Sequence, residues 1–341
     1  MKISIGSKIK DGPWGGGNLF LINLTNRLKK EGYTVIDHLH DKDIDIIYLF
    51  DPRKESELAT FNHIDIANYL YYINSNAKVI HRINECDERK NTKGVNEFFI
   101  NANKVADKTI FVSEWLQNLY LKQGFYSDDY EVILSGSNKE VFNILGKKTY
   151  NSGEKFKIVT HHWGNNWNKG FDIYTQLDRL LHEEGFNNIE FTYIGNLPKK
   201  FSFSNSVHIH PLSGKDLAEE LKKHHLYLTA SLNEPSGNHH IEAALCGLPI
   251  MYINSGGIPE YCKGYGIQFT KSTFIESLKT IKSNILEYEK KMHKYPYDSE
   301  LMNEKYLNSM INLINKSRTN FQYKDMKSNK FLFKLSNLLK L

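Results

Sequence analysis

The stretch LYLTASLNEPSGNHHIEAALCGLPIMYIN (226–254) runs through one complete structural unit. LYLTAS (226–231) is a short apolar run rich in residues that favour strands. Glu234, Pro235, Ser236 and Gly237 mark a turn, and a helix is predicted to open near Asn238. Gly247 and Pro249 then stop that helix, and LPIMYIN (248–254) reads as the next strand. Strand, helix and strand at this spacing predict a parallel pair joined by a crossover helix.

The alternation extends outward in both directions. In the second half, strands are predicted at 156–163, 189–195 and 206–212, with helices at 171–185 and 214–225. The first half offers strands at 2–8, 33–39, 43–50, 77–83, 108–113 and 130–136, with helical patterns at 18–31, 62–73, 94–106 and 114–124. The polar run NILGKKTYNSGEK (143–155) reads as the linker, and after residue 271 the pattern is helical, broken at Tyr295-Pro296. The expectation is an α/β chain of two doubly wound, Rossmann-like domains facing across a cleft, followed by C-terminal helices. The divisions fall at 1–145, 146–296, a helix at 297–320 packing back on the first domain, and a tail at 321–341. Ligands in such sheets bind at the carboxyl ends of the strands, so the cleft is where a site is expected.

Bulk properties exclude several classes. At 341 residues, with 40% hydrophobic and 24% charged residues, the chain is long enough for two domains and ordinary for a globular protein. It has no apolar run of about 18 residues, the length a spanning helix needs, and no secretory signal is expected after MKISIGSKIKDG. Three widely spaced cysteines, Cys86, Cys246 and Cys262, form neither a disulfide framework nor a zinc pattern and suit a reducing cytosol. The net charge is +5, but the last 21 residues hold five Lys against one Asp. The body is therefore near neutral, and nucleic acid is not an expected partner.

The chemistry concentrates after strand 226–231. A helix N-terminus near Asn238 offers free N–H groups and a positive dipole end, which suits phosphate. Glu234 and Glu242 can each accept two hydrogen bonds from neighbouring hydroxyls, as a sugar would offer; on spacing alone they could equally be charges that stabilise the helix dipole. In the first domain, DGPWGGG (11–17) follows a strand and opens a helix. The dinucleotide pattern Gly-x-Gly-x-x-Gly fails there, because Gly15 and Gly17 are followed by Phe20 at its third position.

Glu234 and Glu242, with AALCGLPI (243–250) and SGGIPE (255–260) downstream, resemble the signature of glycosyltransferase family 4. The resemblance runs in order to about residue 320. It implies a GT-B architecture and a retaining transferase that uses a nucleotide-activated sugar. It also implies that Glu242 holds the ribose and Glu234 the donor sugar, with the backbone of Ser236, Gly237 and Asn238 lining the pocket. Lys169 in WNKGFD (167–172) would neutralise the donor diphosphate, and Gly15, Gly16 and Gly17 would face the donor phosphates and the acceptor. His81 would approach the donor sugar; its alternative is a satisfied strand-end histidine. Arg82 and NECDER (84–89) would shape the acceptor site.

The family's Arg several residues before that Lys is missing from HHWGNNWN (161–168). His161, His162 or the asparagines would replace it, or the diphosphate would be held more loosely. His239 and His240 are unusual for the family, and adjacent helical positions make a poor metal pair. Asp43-Ile44-Asp45 lies in the wrong region to chelate a donor-bound metal. No metal and no cofactor are expected, the nucleotide sugar being a co-substrate.

The tail FLFKLSNLLKL (331–341) puts Phe331, Leu335, Leu338 and Leu339 on one helical face among lysines. That reads as a membrane-surface helix, with a terminal helix docking on the body or an oligomer contact as its alternative. The expected acceptor is a glycan or lipid-linked glycan, lipid-linked under the first reading. The expected place of action is the cytoplasm, peripheral at its membrane face under that same reading, and the expected process is surface polysaccharide or glycoconjugate synthesis. The rival functions are a nucleotide-sugar epimerase of the same fold, a catalytically silent nucleotide-sugar-binding subunit and, least favoured, an NAD-dependent oxidoreductase.

Overall fold

The computed structural model describes residues 1–333 other than 11, 13, 14 and 54. The first sheet holds β1 (Lys2–Ile5), β2 (Thr34–Ile36), β3 (Ile46–Leu49), β4 (Lys78–Ile83), β5 (Lys108–Phe111) and β6 (Tyr130–Val132). Their order is β2-β1-β3-β4-β5-β6, and every pairing is parallel. Helices α1 (Gly16–Lys30), α2 (His63–Tyr72), α3 (Asp87–Lys90), α4 (Val95–Ala102) and α5 (Glu114–Lys122) connect them. β3 and β4 are buried at every residue, as strands covered by helices on both faces must be.

The second sheet holds β7 (Phe156–His162), β8 (Ile189–Gly195), β9 (Val207–Ile209), β10 (Leu226–Thr229), β11 (Ile250–Ile253) and β12 (Gly266–Phe269). It is again wholly parallel, in the order β12-β11-β10-β7-β8-β9. Its helices are α6 (Phe171–Leu180), α7 (Gly214–Lys222), α8 (Asn238–Leu245), α9 (Ile258–Cys262), α10 (Phe274–Ser283) and α11 (Ile285–Met292). The chain winds outward from β7 in one direction and from β10 in the other. The crevice between the carboxyl ends of β7 and β10 is therefore the topological switch point, where a ligand is best received.

The last long helix, α12 (Ser299–Ile314), returns to the first domain. Its Met302, Tyr306, Leu307, Met310 and Leu313 share one core with Ile3, Phe20, Leu24 and Ile80. The two interdomain crossings lie side by side, for Ser299 N donates to Ser137 O at 2.8 Å. Phe142 already packs in the second domain's core. Beyond α12, Arg318 pairs with Asp107 (2.7 and 2.5 Å), Tyr323 is buried, and Ser328 N donates to Asn68 of α2 at 2.7 Å. Residues 315–328 are thus a strap across the first domain. Phe331 and Leu332 are exposed, whereas Leu335, Leu338 and Leu339 of the expected amphipathic face lie outside the described residues. Among the described residues no helix is long and apolar enough to cross a membrane.

Two local features differ from the sequence pattern. The helical run after residue 271 is interrupted at Asn284 as well as at Pro296, giving α10 and α11. β12 is a short edge strand, only partly buried except at Phe269, so it lacks the apolar signal of an interior strand.

Candidate active site

The residues singled out in the second domain converge at the switch point. Lys169 sits in a single turn after β7 and is buried. Glu234, in the loop after β10, is also buried, and its Oε2 accepts a hydrogen bond from Lys169 Nζ. The loop that carries Glu234 is clamped by SGGIPE. Gly257 N donates to Glu234 O at 2.9 Å, and a Cβ on Gly256 would lie 2.3 Å from that same oxygen. A Cβ on Gly257 would lie 2.3 Å from Pro235 O, so the glycine pair is required by close backbone approach.

The other oxygen of Glu234 faces a cation from the first domain. Arg89, in α3, places Nε 3.1 Å from Glu234 Oε1. Burial opposes the charge on Glu234, but Arg89 and then Lys169 outweigh it and hold the carboxyl well below its ordinary range. Glu234 in turn raises the Arg89 pKa above its usual value, while burial lowers that of Lys169 against the pull of Glu234. The neighbouring backbones are pinned together as well. Asn168 Nδ2 donates to Arg89 O at 3.3 Å and Asn233 Nδ2 to Glu88 O at 3.2 Å. Sequence reasoning assigned 84–89 to the acceptor side and missed this pairing, for nothing local links two residues so far apart in the chain.

Glu242 lies on α8, buried, with Oε2 at 2.9 Å from His161 Nε2 at the end of β7. Beside it is an imidazole cluster. The rings of His162 and His239 are 4.6 Å apart and those of His239 and His240 4.8 Å apart. His162 Nε2 pairs with Tyr174 Oη at 2.8 Å and His239 Nε2 with Thr229 Oγ1 at 2.9 Å. Burial pushes the pKa values of His162 and His239 well below the ordinary histidine value and that of His240 down to about 3, so the cluster is neutral at pH 7. Among the described residues no group of three or more His, Cys, Asp or Glu is arranged to hold a metal ion.

The first domain reaches the cluster through its glycine loop. Gly16 packs on the start of α8: a Cβ there would lie 3.1 Å from Asn238 Cγ. Gly15 precedes α1 with φ 82°, a conformation that glycine adopts without strain, and Gly17 packs on Phe50. Ser236 Oγ donates to Ser135 Oγ at 2.9 Å, a further polar bridge between the domains, next to Gly237 at the helix cap. Glu260, from SGGIPE, accepts from Glu114 N and Trp115 N at 2.8 Å each and so caps α5 of the first domain.

His81 is not brought into this cluster. It is fully buried within β4, with Nδ1 2.8 Å from Asn103 Oδ1, its ring beside Phe99, and Nε2 without a partner among the described residues. Burial lowers its pKa to about 4, which keeps it neutral. Its neighbour Arg82 turns to Tyr306 Oη of α12 at 3.2 Å.

Residues 158–281 match the family model described as glycosyl transferases group 1. That span contains Lys169, the Glu234 loop and α8. The phosphatidylinositol N-acetylglucosaminyltransferase GPI3 subunit of Saccharomyces cerevisiae is 29% identical over 124 residues, 33% of this chain and 26% of the relative. The match therefore spans about a quarter of that relative's length. Among solved structures, Anabaena Alr3699/HepE in complex with UDP-glucose is similar over 92% of this chain and 99% of its own, with TM-score 0.65 and 12% identity. Sucrose-phosphate synthase from Thermosynechococcus elongatus is similar over 93% and 100%, with TM-score 0.62 and 12% identity. At that identity the likeness is one of fold: two Rossmann-like domains in the GT-B arrangement.

Proposed function

We propose that this chain is a glycosyltransferase that moves a sugar from a nucleoside-diphosphate donor to a hydroxyl acceptor with retention at the anomeric carbon. The observation that carries the reading is the buried Glu234–Lys169 pair beside Glu242 at the switch point, within the span similar to glycosyl transferases group 1. Glu242 would accept from the ribose hydroxyls and the donor diphosphate would meet the N-terminus of α8, near Ser236, Gly237 and Asn238. Glu234 would accept from two hydroxyls of the donor sugar, which releases Lys169 toward the phosphates.

With both carboxylate oxygens given to sugar hydroxyls, Glu234 is not placed as a nucleophile at the anomeric carbon, which favours direct displacement on one face over a covalent intermediate. In that step the anomeric C–O bond to the diphosphate breaks and its electron pair stays on the phosphate oxygen. The acceptor oxygen bonds to the same face and passes its proton to that phosphate oxygen. Lys169 and the α8 N–H groups stabilise the charge on the leaving group as it forms. No metal is assigned a part in this step. His81, dry and enclosed, is given no role in the reaction.

The solved relative with UDP-glucose makes a uridine donor the first to try, and the phosphatidylinositol named for the yeast relative makes a lipid-linked acceptor the matching proposal. The part of the tail beyond the strap, residues 329–341, would then supply a peripheral membrane contact. The test is thermal melting with UDP, GDP, ADP and CDP, alone and as sugar conjugates, repeated with Glu242→Ala. A ligand at 100 times its dissociation constant adds about 2.7 kcal/mol of stability. A shift with one nucleotide that is lost in the variant is expected; no shift with any of them would overturn the donor site. Turnover that yields free sugar or an epimer without an acceptor product would favour the epimerase reading instead.

A further inference from the structure

We propose that Arg89 of the first domain supplies the second cation of the donor diphosphate site, so that the phosphate clamp is assembled from both domains. This rests on the proposed donor site and adds to it a residue that the second domain lacks. Two cations, Lys169 and Arg89, converge on the two oxygens of one carboxylate, Glu234. Cations spaced to hold both oxygens of a carboxylate are spaced to hold neighbouring oxygens of a phosphate. Once Glu234 turns to sugar hydroxyls, the buried Lys169 and the partly buried Arg89 lose their counter-charge, and a diphosphate restores it.

Arg89 is poised rather than consumed in its present contacts. Its Nε faces Glu234 at 3.1 Å without an aligned hydrogen bond, and its Nη1 lies a long 3.4 and 3.5 Å from the Glu85 oxygens. Glu85 is more closely bound by Lys90, at 2.9 Å. The guanidinium therefore holds a partly buried, charged position with its donors only partly used, although five donors are available to it. Its backbone is fixed against the second domain by Asn168, the residue before Lys169. The segment between β7 and Lys169 contains no arginine at all, and among the described arginines only Arg89 contacts Glu234. Burial keeps His162, His239 and His240 neutral, so they do not replace that charge.

The test measures binding of uridine, UMP and UDP, and of the other nucleosides in the same series, to the full chain and to Arg89→Gln, Arg89→Lys and Lys169→Gln. The wild type should prefer the diphosphate to the nucleoside, and Arg89→Gln should lose about 10- to 100-fold of that preference, the worth of a charged hydrogen bond. Nucleoside affinity should stay unchanged, and Arg89→Lys should fall between, having the charge without the fork. Melting temperatures of the unliganded variants establish that they fold. If Arg89→Gln keeps the wild-type preference while Lys169→Gln loses it, Arg89 is only a clasp between domains and the proposal falls. If the wild type shows no preference for any diphosphate, the donor site itself falls, and the proposal with it.

Discussion

Replacing Glu234 by Gln removes the negative charge that two cations face and keeps the volume. Glu234 and Lys169 are both at least nine-tenths buried, and Arg89 is partly so. Breaking a buried ion pair by neutralising one partner costs about 3–5 kcal/mol, because the other charge stays buried without compensation. Gln still accepts a hydrogen bond from Lys169 and Arg89 keeps some contact with water, so the low end, about 3 kcal/mol, is expected. At 2–4 °C per kcal/mol for a unit of this size, the unliganded variant should melt roughly 6–12 °C below the wild type. The sign with pH follows from the depressed pKa of Glu234. Its contribution is present above the ordinary carboxylate range and is lost only as the pH falls through its much lower folded value. The difference between variant and wild type should therefore be flat from pH 5 to 8. A nucleoside diphosphate should rescue the variant by a larger melting shift than it gives the wild type, because it meets cations that no longer have a carboxylate to leave. Differential scanning calorimetry with and without nucleotide reads both effects. A variant that melts at or above the wild-type temperature, with no larger nucleotide shift, would refute the view that Glu234 balances those two charges.

Three other outcomes are expected. Lys169→Ala should lower turnover by at least about 100-fold, the usual worth of one preorganised donor to a leaving oxyanion; steady-state rates with a saturating donor read this, and near-normal turnover would remove Lys169 from the mechanism. His81 and His240 have folded pKa values depressed by burial to about 4 and about 3. Their stabilising effect is complete above pH 6.5 and fades as the pH falls toward those values, so stability should drop by about 1–2 kcal/mol per histidine between pH 7 and pH 5, read as lower melting midpoints, and His240→Gln should flatten part of that slope. A chain ending at Phe333 keeps the strap contacts of Tyr323 and Ser328 and should fold normally, yet co-sediment less with anionic vesicles than the full chain; equal binding by both would end the membrane reading of the tail.

The parts of the fold legible in the sequence are those written locally. The interior strand IIYL is a continuous apolar run because helices bury both of its faces, whereas KVIHRI, equally buried, carries Lys78, His81 and Arg82 and is read from its Val and Ile residues. The turn at Glu234, the helix opening at Asn238 and the stop at Gly247 lie within a few residues of one another, so composition alone carries them. The Gly256-Gly257 pair was likewise readable as a motif, although its reason, the close packing against the Glu234 loop, is a matter of space.

What only the tertiary structure decided is which charged groups meet. Arg89 and Glu234 belong to different domains, and no periodicity in either segment records that the domains face each other with α3 seated on the Glu234 loop. For His81 the sequence leaves two readings open, a donor-side group and a satisfied strand histidine; enclosure by Asn103 and Phe99 decides for the second and keeps it neutral and apart from the cleft. The strap at Arg318 and Tyr323 looks like a polar tail until Asp107 and the core beneath α2 are brought against it. A one-dimensional pattern specifies which faces must be buried; the partner that buries them, and the charge that answers a charge, are settled by distances that exist only once the two domains have closed.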